Sequence, residues 1–144
     1  MKKLLNKLIP PKEDVVNLRM QHRHKRELLK MAKHSCDFSY TYLDEFVHLK
    51  IKHMHEYFSS CRDIWQTEED RAQIVEQLQH VLDLWGNIDI LWKNYEKNII
   101  RDEDGSIAKN KRNAVLYLEA LAKEGELYKE IYSYIGEWIQ FWED

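Results

Sequence analysis

The sequence is short of the residues that punctuate a chain. Among 144 residues there are four Gly and two Pro, and the prolines are adjacent at Pro10 and Pro11. So little turn-forming material excludes a many-turned all-β fold and leaves a few long helices. Cysteine is scarce as well. Cys36 and Cys61 are too few and too far apart for a disulfide framework or a C-x-x-C zinc site, and are expected as reduced core thiols of a soluble, cytoplasmic protein. No apolar run approaches the roughly 20 residues of a membrane span. The opening Met1–Pro11 is basic but holds no apolar stretch of signal-peptide length. Also missing are G-x-G-x-x-G, the P-loop, G-x-S-x-G and H-E-x-x-H, which removes the usual nucleotide-binding and hydrolase signatures.

Acidic residues are sparse at the start of the chain, and the charge balance changes sign after residue 34. Residues 1–34 hold ten Lys and Arg against Glu13, Asp14 and Glu27, a balance of +7 inside an overall net charge of −3. The remaining residues are strongly acidic. A basic arm on an acidic body either folds back onto that body or reaches for an anionic partner.

What the chain has in abundance is helical periodicity. Ile74, Leu78, Val81, Trp85, Ile88, Trp92, Tyr95 and Ile99 step four and three residues without a slip, the seam spacing of a long helix packed on others. Gly86-Asn87 could cap and end that helix, but the apolar phase runs through them without a reset, so one continuous helix is expected. Thr67 with Glu68, Glu69 and Asp70 reads as its cap and acidic first turn.

Elsewhere the seams are less regular. In the first helix the apolar positions Val15, Leu18, Leu29, Ala32 and Cys36 continue, at the same step, through His22 and Lys25. The second seam is Tyr40, Leu43, Val47, Ile51, Met54, Phe58 and Cys61, and the fourth is Ala114, Leu118, Leu121, Gly125, Tyr128, Ile131, Ile135, Trp138 and Trp142. The pattern falters near residues 34–39, leaving either two helices or one over residues 12–65. Arg101–Ser106 is the clearest loop and forces an antiparallel hairpin. Folding about residue 103 sets Leu121 beside Gly86 and Gly125 beside Leu82, so both glycines are expected where helices approach closely. A break after Lys123-Glu124 is the competing reading of the fourth helix.

The expected architecture is therefore all-α: one domain over residues 1–144, an elongated antiparallel bundle of three long helices plus a basic N-terminal helix, with left-handed coiled-coil-like packing. Its parts are a tail at 1–11, a basic helix at 12–34, and bundle helices at 39–65, 68–100 and 107–142.

Three features could carry function. Arg19, Arg23, Arg26, Lys30 and Lys33 step four, three, four and three, so they form one helical ridge ~21 Å long. It is either a solvated face paired with the acidic body or a site for an anionic partner, an acidic protein surface or the phosphates of a nucleic acid. Its lack of aromatic residues argues against single-strand binding. Second, Glu45-x-x-His48 has the spacing of half a di-iron bundle site. No second Glu-x-x-His exists, and Asp44, Glu45, His48 and His55 fall off the seam, so no metal or cofactor is expected. Third, Tyr134, Trp138, Phe141 and Trp142 belong to an aromatic arc of ~180° on a helical wheel, wider than one helix contact needs. They are candidates for a partner or homodimer surface, as are Leu84, Ile90 and Leu91.

Together these features describe a non-enzymatic helical interaction, adaptor or inhibitor protein with a protein partner. A small chain without a catalytic motif also fits an accessory protein of a virus or mobile element. Nucleic-acid binding through the basic helix is the alternative, and a metal-dependent bundle enzyme around Glu45 and His48 the third reading.

Overall fold

The computed structural model describes residues 12–34, 40–60 and 67–142, with side chains in the first helix from Asn17 onward. Residues 1–11, 35–39 and 61–66, with the expected tail, Cys36 and Cys61, lie outside the described residues. Of the described residues 89% are helical and none forms a strand, as expected of a chain with so few helix breakers. The fold is an all-α helical bundle. Its helices are α1 (Lys12–His34), α2 (Tyr40–Ser60), α3 (Glu68–Asn98) and α4 (Lys111–Trp138), followed by a 3-10 turn at Ile139–Trp142. The chain divides into two compact units, and the division falls inside α3, between Leu78 and Gln79.

In the first unit α1 and α2 are separate helices that pack side by side, excluding a single helix over residues 12–65. Arg23 and His24 meet Glu56, while Glu27 meets His53, so the two run antiparallel. Met20, Ile51, Phe58, Ile74 and Leu78 are buried here. Thr67 starts α3 through a capping box: its Oγ1 accepts from the Asp70 N–H at 3.1 Å and donates to the Asp70 carboxylate at 2.7 Å. The acids Glu68, Glu69 and Asp70 occupy the first turn, where the helix dipole favours them.

The α3 seam is buried as its spacing requires. Ile74, Leu78 and Val81 are wholly enclosed, Trp85, Ile88 and Ile99 are buried, and Trp92 and Tyr95 are half-buried. The helix passes through Gly86-Asn87 unbroken.

In the second unit α3 and α4 are antiparallel, held by His80 against Tyr134, the Trp92 indole N–H donating to Glu124 at 2.8 Å, and Tyr95 against Tyr117. This register differs from the expected one by roughly two helical turns. The reason lies in the connection. α4 begins at Lys111 rather than at residue 107, and the residues before it run extended, bridging Arg101 to Ile107. Ala108 and Asn113 both bond to Ile100, so the chain gains no ground along α3 between them, and α4 is displaced towards the C-terminal end of α3. The hairpin tip closes with Gly105 at φ +82°, its N–H donating to the Asp102 carbonyl, the left-handed position that glycine fills without strain. Asn110 caps α4 by accepting from the Asn113 N–H at 2.8 Å.

Three expectations about faces are corrected. In the first half of α4 the buried positions are Asn113 and Ala120, one residue out of phase with Ala114, Leu118, Leu121 and Gly125, all of which are exposed. Beyond Tyr128 the expected seam is recovered at Ile131, Ile135 and Trp142. Neither Gly86 nor Gly125 marks a close approach, since a methyl group at either would meet nothing within 4 Å. In α2, Leu43 is exposed although it lies on the expected seam, while Ile51 and Phe58 are buried.

Candidate functional site

α1 carries no glycine or proline, and its side chains sort by direction. Met20 and His24 are buried, Leu28 and Met31 half-buried; at 3.6 residues per turn these four share one face. The expected seam points the other way, with Leu18, His22, Lys25, Leu29 and Ala32 all exposed. The packing face of α1 is thus completed by a histidine rather than by an aliphatic residue.

His24 is held in a crossed arrangement with α2. Its Nε2 lies 3.0 Å from a carboxylate oxygen of Glu56 on α2, and Nε2 of His53 on α2 lies 2.6 Å from a carboxylate oxygen of Glu27 on α1. The two imidazoles stack with centroids 3.9 Å apart and planes 8° from parallel. Each helix supplies one histidine and, three residues later, one glutamate. Because the helices are antiparallel, the His of each meets the Glu of the other. The motif is His-x-x-Glu at 24–27 and again at 53–56, the reverse order of the Glu-x-x-His sought in the sequence. Repetition of that spacing on two neighbouring helices was the available signal.

Arg23 extends this cluster to the surface through an ion pair with the other oxygen of Glu56. Hydrogen bonding to Arg23 first, and to His24 second, holds the Glu56 carboxyl below the usual carboxylate range, and the same bond raises Arg23 further above its ordinary value. Burial pushes the His53 imidazole below its ordinary value; the Glu27 hydrogen bond opposes this, and the charges of His24 and Lys50 reinforce it. His53 is accordingly neutral at pH 7, with its Nε2–H donating to Glu27. Its Nδ1 is buried and has no hydrogen-bond partner among the described residues, so a proton there would be a buried cation without an acceptor.

The five expected ridge residues, Arg19, Arg23, Arg26, Lys30 and Lys33, are all exposed on α1 and line one open surface depression with His22, Glu27 and Leu29. Arg23 is the member that folds back onto the body. Arg19, Arg26, Lys30 and Lys33 make no ion pair or hydrogen bond among the described residues.

The other candidate residues are not brought into a comparable site. Of the aromatic group, Trp142 is buried, Tyr134 and Trp138 are half-buried, and only Phe141 is exposed. Trp142, at the end of the 3-10 turn Ile139–Trp142, continues the buried seam of α4. Leu84 is buried and Leu91 half-buried, while Ile90 is exposed. No group of three or more His, Cys, Asp or Glu side chains converges to hold a metal ion among the described residues. No described helix is long and apolar enough to cross a membrane.

Compared with protein-family models, with curated proteins and with solved structures, the chain matches none.

Proposed function

We propose that the chain is a non-enzymatic interaction protein that engages an anionic macromolecular partner along the cationic ridge of α1. The observation that carries this reading is the state of the ridge: five basic side chains in one row, four of them unpaired among the described residues. Surface cations that stabilised the fold would be expected to find carboxylates, and the acidic body offers many. Among the described residues only Arg23 has taken one. The crossed His–Glu pairs fix α1 against α2 and so hold the ridge in one orientation, which lowers the ordering cost of binding.

The test is affinity capture from the native host with nuclease treatment and a salt series, comparing wild type with Arg26→Glu/Lys30→Glu. The reading expects capture that weakens with salt and is lost in the double variant. Capture unchanged by charge reversal, or none at all, refutes it.

A further inference from the structure

The ridge does not stand alone on the outer surface of α1. Leu18 and Leu29, 59% and 62% exposed, lie with Ala32 on the row beside it. That row is Leu18, His22, Lys25, Leu29 and Ala32, and each member immediately precedes a ridge residue in the sequence. It keeps the four-three step of a helix-packing seam, yet Leu18, His22, Lys25 and Leu29 are all exposed among the described residues. Apolar anchors therefore stand at both ends, a cation at the centre, and a line of cations runs along one flank.

We infer that this face seats an acidic amphipathic helix of a partner protein, a proposal that rests on the ridge being the binding surface. Charge complementarity selects the occupant. The flank of Arg19, Arg26, Lys30 and Lys33 asks for carboxylates along one edge of the incoming helix, and Lys25 asks for one near its middle. The structure already shows a carboxylate accepted by the ridge, since Glu56 sits on Arg23. Leu18 and Leu29 are about three turns apart along the helix and ask for apolar residues at matching separation. A phosphate backbone would leave these leucines in water, and α1 offers no Phe, Tyr or Trp on which bases could stack. Two leucines are also too little apolar surface for a lipid bilayer.

The probe is a synthetic acidic helical peptide of three heptads, with Leu at the a and d positions, Glu at e and g, and Glu at the central a position. Binding to the full chain is followed by fluorescence anisotropy, beside a duplex DNA and phosphatidylserine vesicles. The inference expects the peptide to bind, Leu18→Ser/Leu29→Ser to weaken it by about tenfold or more, Leu18→Ile/Leu29→Ile to restore it, and Arg26→Glu/Lys30→Glu to abolish it. Unchanged far-UV circular dichroism shows that these surface variants fold. If the leucine variants bind the peptide as wild type does, or DNA or vesicles bind more tightly than the peptide, recognition is by charge alone; the partner class is then wrong while the ridge reading survives. Leucine-dependent self-association of the chain, seen by sedimentation, would replace the partner with a second copy. Failure of every anion to bind removes both.

Discussion

Asn113 offers the sharpest test of the forces that hold the α3–α4 connection. Its side chain is buried and makes three hydrogen bonds across the hairpin: Oδ1 accepts from the Ile100 N–H at 3.0 Å, and Nδ2 donates at 2.8 Å to the carbonyls of both Ile100 and Ala108. Both carbonyls have a second donor, from Ala108 and Asn110 respectively, so removing the amide orphans only the Ile100 N–H outright. At about 1 kcal/mol net for each bond, Asn113→Ala is expected to destabilise the hairpin by about 3 kcal/mol. Asn113→Asp keeps the acceptor but sets a carboxylate oxygen where Nδ2 faced two carbonyl oxygens, so at neutral pH it is expected to be at least as damaging as alanine. Its raised folded-state pKa means that the native form binds the extra proton, so part of the loss is recovered as pH falls. The assay is urea unfolding at pH 7 and pH 4 with amide exchange at Ile100 as the local probe. A loss below about 1 kcal/mol for alanine, or an aspartate variant as stable as wild type at pH 7, would refute this account of the connection.

Three further outcomes are expected. The folded-state pKa of His53 lies below its unfolded value, so on acidification the unfolded chain takes up that proton first, and stability falls from about pH 6.5 down to the folded pKa by about 1.4 kcal/mol per pH unit. Thermal melts should show this acid-side slope in wild type and lose it in His53→Leu; a slope that persists would place it elsewhere. Glu56→Gln releases Arg23 to the ridge, and is expected to tighten heparin binding and steepen its salt dependence in a conductivity-matched titration, where no change would mean Arg23 is not part of the surface. Gly125→Ala is expected to raise stability by up to about 1 kcal/mol, because the helix position is open, whereas Gly105→Ala, at positive φ, should lower it by about as much; denaturant midpoints of the two variants moving in the same direction would contradict this.

Much of the scaffold was legible because strong local signals agreed with the packing. The α3 seam, its capping box and the loop at Arg101–Ser106 are each specified by several residues. The register of α4 was not legible, because it turns on Asn113 and Asn110. Polar side chains acting on backbone groups keep the residues before Lys111 out of the helix, and no hydrophobic count reports that. Of the candidate site, the cationic ridge followed from spacing and charge, which exposed residues keep in any register. The crossed pairs were hidden by order. A Glu-x-x-His search finds Glu45 and His48, while the motif that the antiparallel helices bring together reads His-x-x-Glu.

The face that α1 buries turns on which polar residue can be buried with a partner. One choice is Leu18, Leu29 and Ala32, with Lys25 at its centre; the other is Met20, Leu28 and Met31, with His24. By apolar content the two are close. Burying Lys25 would desolvate an ammonium, an effective penalty of several kcal/mol unless a carboxylate is enclosed with it. The His24 imidazole instead has a partner at hand, its Nε2 lying 3.0 Å from the Glu56 carboxylate. The methionine–histidine face can therefore be buried without an unpaired charge, and Glu27 serves His53 in the same way from the opposite helix. The direct consequence is that Leu18 and Leu29 remain in solvent beside the cations. The two histidines that close the inner face of α1 thereby decide which surface is left for a partner.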